Sequence, residues 1–226
     1  MDRIAGIVLF GLGKIAEVVL DLLHEAGREV AGFTVDAAHL PGSSAHGLPA
    51  VPFDEVERAF PPERHTMLVA IGYHDLNRLR ATRCAAARAK GYRLASFVSE
   101  AAHVPPGCRI GENCVVMPGA ALQPRAEIGD DVFVWHNVVV GHHAVIGDHG
   151  WLASNCTISS TTRLGERCFV GVNAAIGHGI AIGEGALVGA GAVVTADQPD
   201  NAVLIAPSTP RFRLDSERFV RITRMT

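Results

Sequence analysis

The sequence predicts two architectures in series: an open α/β sheet over residues 1–97, then an all-β solenoid over 98–200, with 201–226 as a C-terminal tail. Three observations carry this reading. Apolar runs alternate with amphipathic stretches through the first part, as strands and helices do in a small, mainly parallel sheet. From Val104 to Val194 every sixth residue is aliphatic, sixteen in succession with no insertion. At nine of these sixteen the next residue is glycine, as in IGENCV, VGHHAV and VGAGAV. A helix repeats at about 3.6 residues and a strand at two, so a period of six belongs to neither, whereas a β-solenoid gives it.

In chain order, IAGIVLF (4–10) reads as a buried strand, GLGKIA as a tight glycine turn and KIAEVVLDLLHEAG as an amphipathic helix closed by Gly27. EVAGFTV (29–35) is a second strand. TMLVAIG (66–72) and YRLASFV (92–98) are further strands, with a helix between them over roughly 75–90. The segment 37–62, rich in Pro, Gly and Ser, is expected to be loop with one short helix. In the repeat, the position four after each aliphatic is mostly small, as at Cys114, Ala120, Ala126, Ala144, Cys156 and Cys168. Four of the five cysteines fall there, which makes them core filler rather than metal or redox groups.

Composition narrows the function classes. The 226 residues carry a net charge of −3 with Lys and Arg scattered, so no basic patch marks a nucleic-acid or anionic-membrane surface. No apolar run approaches the length of a bilayer span, and MDRIAGIVLF lacks the anatomy of a secretory signal. No Cys-x-x-Cys pair occurs, and a reducing cytoplasm is the expected location.

The six-residue repeat resembles, without a break, the left-handed parallel β-helix of the hexapeptide-repeat acyltransferases. That resemblance implies three hexapeptides per triangular coil, about five coils, and a left hand that ordinary crossover rules would not give. Coils would stack at roughly 4.8 Å, with each inward aliphatic contributing on the order of 1.5–3 kcal/mol. Read in columns one coil apart, Asn137, Asn155 and Asn173 line up between Gly119 and Gly191, residue types that tolerate left-handed backbone at a corner. Phe133, Trp151, Phe169 and Leu187 form an apolar stripe, expected to lie beneath a neighbouring subunit or the C-terminal tail. His142 and His143 follow Gly141 at a corner, on the rim, while Val140 and Ala144 hold the buried positions.

The resemblance extends over nearly the whole chain. GLGKIA with Asp36, AIGYHDLNRLR (70–80), VFVWHNVVVGHHAVIGDH (132–149), CFVGVNAAI (168–176) and ALVGAGAVV (186–194) are collinear with the sugar-nucleotide acyltransferase group. That group includes the sialic-acid O-acetyltransferase and the bacillosamine and perosamine N-acetyltransferase types. It implies a Rossmann-like N-terminal domain joined to the β-helix, a homotrimer, acetyl-CoA as donor and a nucleotide-linked sugar as acceptor, in surface polysaccharide or glycan biosynthesis. A histidine at the place of His142 would be the general base, a task that suits an imidazole titrating near neutrality. His143 is the alternative base.

Two departures stand out. Better-known members follow that histidine with Glu or Asp, where this chain has His143, so another acid has to support the imidazolium. A histidine that contacts the acetyl group in some members is replaced by Trp151, read either as a cofactor contact or as part of its stripe. The resemblance also places CoA in a groove between two subunits, lined near Gly171, Val172, Gly189 and Ala190.

GLGKIA falls one glycine short of G-x-G-x-x-G, at Ala16. With a strand before it, a helix after it and Asp36 ending the second strand, it points to a nucleotide at a helix N-terminus. The domain is too small for two mononucleotide halves, so the nucleotide of a sugar fits better than NAD. Gly11, Gly13, Lys14 and Asp36 are the candidates, followed by Gly72, Tyr73, Asn77 and Arg78; Arg78 and Arg80 read equally as a solvated helix face or as phosphate contacts. Two rival classes remain. A zinc hydratase of the γ-carbonic-anhydrase kind needs two histidines five residues apart, and none of His136, His142, His143, His149 and His178 forms such a pair, so no metal is expected. The other is a non-catalytic scaffold. The residues leave amine and hydroxyl acceptors both open; an amino sugar and an acetyl group follow from the resemblance.

Overall fold

Every sixth residue from Val116 to Val194 points into one continuous apolar interior, in a computed structural model that describes residues 5–223. Val104 and Ile110 pack against its first end. Three parallel sheets of two-residue strands close around this interior. One face stacks Arg109–Ile110, Glu127–Ile128, Val145–Ile146, Arg163–Leu164 and Ala181–Ile182. The second runs from Phe97–Val98 through Phe133–Val134 and Trp151–Leu152 to Val203–Leu204. The third stacks Ala121–Leu122, Val139–Val140, Thr157–Ile158, Ala175–Ile176 and Val193–Val194. Partners such as Phe133 with Trp151 and Val145 with Arg163 are eighteen residues apart, so three hexapeptides make each coil.

The corners follow from backbone sterics. Asn137, Asn155 and Asn173 all have φ near the left-handed region, at 58°, 61° and 57°, flanked by Gly119 and Gly191, as the column predicted. The same conformation recurs at the other two corners, which have no asparagine ladder: Arg125, His143 and Thr161 on one, Asp131, His149 and Arg167 on the other. The glycine after each inward aliphatic has a different cause. A Cβ on Gly141 would sit 2.6 Å from the Ser159 carbonyl carbon of the next coil, so its absence lets coils stack.

The N-terminal part contains β1 (Gly6–Phe10), α1 (Lys14–Glu25), β2 (Val30–Val35), β3 (Ser44–Ala45), β4 (Leu48–Pro52), α2 (Val56–Ala59), β5 (His65–Val69) and α3 (Arg78–Ala89). Strand order is β3-β4-β2-β1-β5, parallel except for the β3–β4 pair. The expected start of the first strand at Ile4 lies outside the described residues. Two expectations are corrected. Residues 37–62 are not loop with one helix, because β3 and β4 form a hairpin that adds to the sheet beside β2. The segment 92–98 is not a full strand of this sheet: Leu94 makes one bridge to Met67, and Phe97–Val98 already pairs with Val115–Val116 of the β-helix. That face therefore begins before residue 98, and it ends beyond 200 at Val203–Leu204.

Most of the apolar stripe is covered by the chain's own α/β domain, and only its last member, Leu187, meets the tail, through Val203. Val115, Met117, Phe133 and Trp151 share one buried cluster with Leu9, Leu20 and Leu23 of the α/β sheet, so the stripe is the seam between the two domains of one chain. Arg80, which the sequence offers as a solvated helix face or a phosphate contact, is neither: it is fully buried in that seam. Its Nε donates to Asp131 Oδ1 at 2.7 Å, its Nη1 to Asn77 Oδ1 at 3.0 Å, and its Nη2 to the carbonyls of Asp131, His149 and Gly150. Its guanidinium carbon lies 4.6 Å from the Phe133 ring centroid. Asn113 Nδ2 donates to the same carboxylate oxygen, and the Val69 N–H donates to Asn113 Oδ1 at 2.7 Å, tying β5 into the network.

A buried charge stripped of its partner is far costlier than the pair is beneficial. Arg80→Ala should lower unfolding free energy by about 3–5 kcal/mol, read as a fall in the urea midpoint.

Candidate functional site

His142 and His143 stand exposed at the corner where the third face, ending at Val140, turns into the first, starting at Val145. In a three-sided coil this edge lies opposite the second face, the one that carries the α/β domain. His143 takes the left-handed corner conformation (φ 57°), which turns its ring toward His142. The rings are nearly perpendicular, at 89°, and the two Nδ1 atoms are 3.1 Å apart. Gln123 Oε1 accepts the His142 backbone N–H at 3.0 Å.

No carboxylate touches this pair among the described residues; a guanidinium does. Arg125, one coil earlier in the His143 column, brings Nη1 to 3.4 Å from His143 Nε2. A guanidinium only donates, so this contact requires a bare Nε2 and puts the His143 proton on Nδ1. That proton faces His142 Nδ1, which leaves the His142 proton on Nε2. Beside His143 lies a cavity of about 420 Å³, lined by Arg109, Arg125, Arg163, Glu127 and Val145.

A second cavity, of about 600 Å³, opens at the carboxyl ends of β1, β2 and β5. Here the sheet order places β2 and β5 on opposite sides of β1, the crevice where open α/β sheets take ligands. Gly11, Gly13, Lys14, Asp36 and Gly72 line it together, as the sequence suggested. Gly11 has φ 126°, and a Cβ there would lie 2.9 Å from the Ala70 carbonyl oxygen, so no other residue fits. Gly13 caps α1, and nothing would crowd a Cβ there, leaving the helix N-terminus open to the cavity. Sequence reasoning missed His39, His74 and Arg83 on the same walls. Arg83 Nη2 donates to Asp36 Oδ2 at 2.6 Å, so the carboxylate arrives already paired. The clue was an arginine facing the sheet from α3, legible only once the sheet is assembled.

Other candidates move. Tyr73 is 54% exposed but packs edge-on against Trp151 and tilted against Phe169, outside the cavity. Asn77 is fully buried and holds Arg80, so it is not a wall residue. Trp151 is buried under the α/β domain, stacked 5.3 Å from Phe133, and faces no open groove. Val172 and Ala190 are exposed at the corner between the second and third faces. Coil stacking itself requires Gly171 and Gly189: a Cβ on Gly171 would lie 2.5 Å from the Ala190 nitrogen, and one on Gly189 3.0 Å from the Leu204 oxygen.

One histidine that the sequence did not single out has a carboxylate partner. His149 Nδ1 lies 2.8 Å from Asp131 Oδ2, but the other oxygen of that carboxylate is held by Arg80 in the buried network of the seam. Among the described residues no group of three His, Cys, Asp or Glu is disposed to hold a metal. No helix among them is long and apolar enough to cross a membrane.

The bacterial transferase hexapeptide family (six repeats) matches residues 125–160, and the hexapeptide repeat of succinyl-transferase matches 161–196. Among solved structures, PerB, a perosamine N-acetyltransferase from Caulobacter crescentus in complex with CoA and GDP-perosamine, is 33% identical. The match covers 88% of this chain and 93% of that one, at a TM-score of 0.80. The acetyltransferase domain of PglB from Neisseria gonorrhoeae, in complex with acetyl coenzyme A, is 27% identical over 91% of this chain and 98% of that one, at 0.79. WeeI from Acinetobacter baumannii shares the fold at 21% identity, with 91% and 97% covered and a TM-score of 0.79. Against the curated proteins, nothing matches.

Placing Trp151 in the seam makes it structural. Trp151→Ala should cost about 3–5 kcal/mol of stability, while calorimetry with CoA on the folded variant should give the wild-type affinity. A large loss of CoA affinity without destabilisation would restore it to a binding groove.

Proposed function

The chain belongs to the hexapeptide-repeat sugar acetyltransferases, and from that premise we propose that it transfers an acetyl group from acetyl-CoA to the amine of a nucleotide-linked amino sugar. The observation that carries this is the exposed histidine pair at a rigid corner, in a chain that is 33% identical over 88% of its length to a protein seen with CoA and GDP-perosamine.

His142 is the general base. The neutral amine nitrogen attacks the thioester carbonyl carbon and passes its proton to His142. The C–S bond then breaks, and the imidazolium returns the proton to the departing CoA sulfur. Transfer is direct. All five cysteines are free thiols, as a reducing cytoplasm allows, but burial pushes the Cys114 and Cys156 thiols up to about 12, so neither offers a thiolate for an acyl-enzyme.

The nucleoside end of the sugar nucleotide occupies the cavity at the carboxyl ends of the N-terminal, Rossmann-like sheet, with Lys14 and Arg83 as its cationic walls and the α1 N-terminus behind them. That cavity belongs to the domain on the second face, whereas the histidines lie on the opposite edge, so one chain's nucleotide serves another chain's base. A homotrimer of left-handed β-helices supplies that geometry. The third face fits a subunit contact: its outward residues Ala121, Val139, Thr157, Ala175 and Val193 carry no charge, whereas the first face presents Arg109, Glu127 and Arg163. Val172 and Ala190, at the other end of that third face, would then line the CoA groove.

Thiol release from acetyl-CoA, screened against nucleotide-linked 3- and 4-amino sugars with hydroxyl sugars as controls, tests the reaction; release with none of them sinks it. In an active pair, His142→Ala should lower kcat by about 10²–10⁴-fold with folding intact. Lys14→Ala should raise KM for the sugar nucleotide about tenfold and leave KM for acetyl-CoA unchanged. If both constants move together, the N-terminal cavity is not the nucleotide site.

A further inference from the structure

We propose that the cationic hollow beside His143 is a phosphate subsite, in which Arg125 and Arg163 hold phosphate oxyanions of a substrate and the bound anion sets the protons on the histidine pair. The proposal rests on the acyl-transfer reading above for its substrate but not for its geometry.

Charge makes the first case. The hollow gathers Arg109, Arg125 and Arg163 against the single carboxylate of Glu127, a surplus of two positive charges with His143 neutral. Arg109 is ion-paired to Glu127. Among the described residues no carboxylate stands at ion-pair distance from Arg125 or Arg163, so two guanidinium groups are free for a dianion. A chain with net charge −3 gathers three arginines here, around one corner and the face beside it.

Register makes the second. Arg125 precedes His143 by one coil in the same corner column, and Arg163 follows Val145 by one coil on the adjoining face. The two arginines thus stem from the coils on either side of the one that carries His143, each a step of about 4.8 Å away along the axis. Guanidinium is the side chain whose donor fork matches phosphate oxygens.

The third case is the proton arrangement. With Arg125 donating to His143 Nε2, the pair is held in the tautomer that leaves His142 Nε2 protonated and unable to act as a base. An anion accepting the Arg125 hydrogens releases that nitrogen, and an anion beside it favours a proton there. His143 Nδ1 is then bare and accepts the His142 Nδ1–H, which frees His142 Nε2 to take the proton of the amine. The substrate's phosphate thus does from outside what a carboxylate at position 143 would do from within. Both substrates carry phosphate, the sugar nucleotide as its diphosphate and CoA as its phosphate groups, so the chemistry is shared and the source is for the experiment.

Inorganic pyrophosphate is the probe, titrated calorimetrically into the wild type and into Arg125→Asn/Arg163→Gln. Asparagine keeps the left-handed backbone of position 125 (φ 65°), and circular dichroism checks the fold. Loss of two charge-assisted contacts should weaken binding at least tenfold. In turnover, a rise in KM for the sugar nucleotide alone assigns the subsite to its diphosphate. A rise for acetyl-CoA alone, with dephospho-acetyl-CoA no longer distinguished, assigns it to CoA. Nitrogen-15 NMR should show pyrophosphate moving the His142 proton from Nε2 to Nδ1. Unchanged pyrophosphate affinity in the double variant overturns the subsite, and a His142 that keeps its Nε2 proton with pyrophosphate bound overturns the relay. If the arginines bind pyrophosphate but no amino sugar is acetylated, the subsite stands and the acyl-transfer reading falls.

Discussion

Everything outside the β-helix is positioned by what is packed inside it. One aliphatic side chain every six residues, stacked on its like eighteen residues away, fixes the register of all three faces. A slip of one residue would expel the whole interior column, so register is enforced along the full length of the stack. The outward residues inherit that precision without contributing to it. His143 meets Arg125 because each lies at the same place in consecutive coils, and His142 meets His143 because a corner residue with positive φ swings its ring back along the edge.

The second constraint joins the two architectures. A sheet that alternates strands with helices and a prism that repeats every six residues have no common period, so neither can be fitted to the other by pattern alone. A buried arginine solves this with direction. Arg80 reads the β-helix corner through a carboxylate and three backbone carbonyls, while Phe133 and Trp151 fill the apolar space beside it. Such a pair costs desolvation that the apolar cluster has to offset, and in return it admits few docking angles.

Legibility divided along the same line. Whatever follows from local period was readable: the inward aliphatics, the small partners including the buried cysteines, the asparagine corners, and the glycine turn with Lys14 and Asp36 around one cavity. What depends on distant pieces meeting was not. Arg80 looks like any helix-surface arginine until residue 131, fifty-one positions away, is placed beneath it. Trp151 could be read as a cofactor contact as well as part of its stripe, because nothing local says that residues near the N-terminus will cover it. For Gly171 and Gly189 the crowding atoms are those of the next coil, which only three-dimensional stacking reveals. Arg83 became visible as a wall of the nucleotide cavity through its contact with Asp36, again across most of a domain.

The long second face, from Phe97–Val98 to Val203–Leu204, has a consequence for how the molecule behaves in a crowded solution. A stack of parallel strands leaves a row of unpaired amides at each end, an invitation to endless growth by further copies. Here Pro105 and Pro106 enter the first coil, and Pro207 and Pro210 follow the last strand. Proline offers no amide hydrogen for another ladder. Backbone donors are thus removed beside both ends of the solenoid, where added coils would otherwise find the most of them.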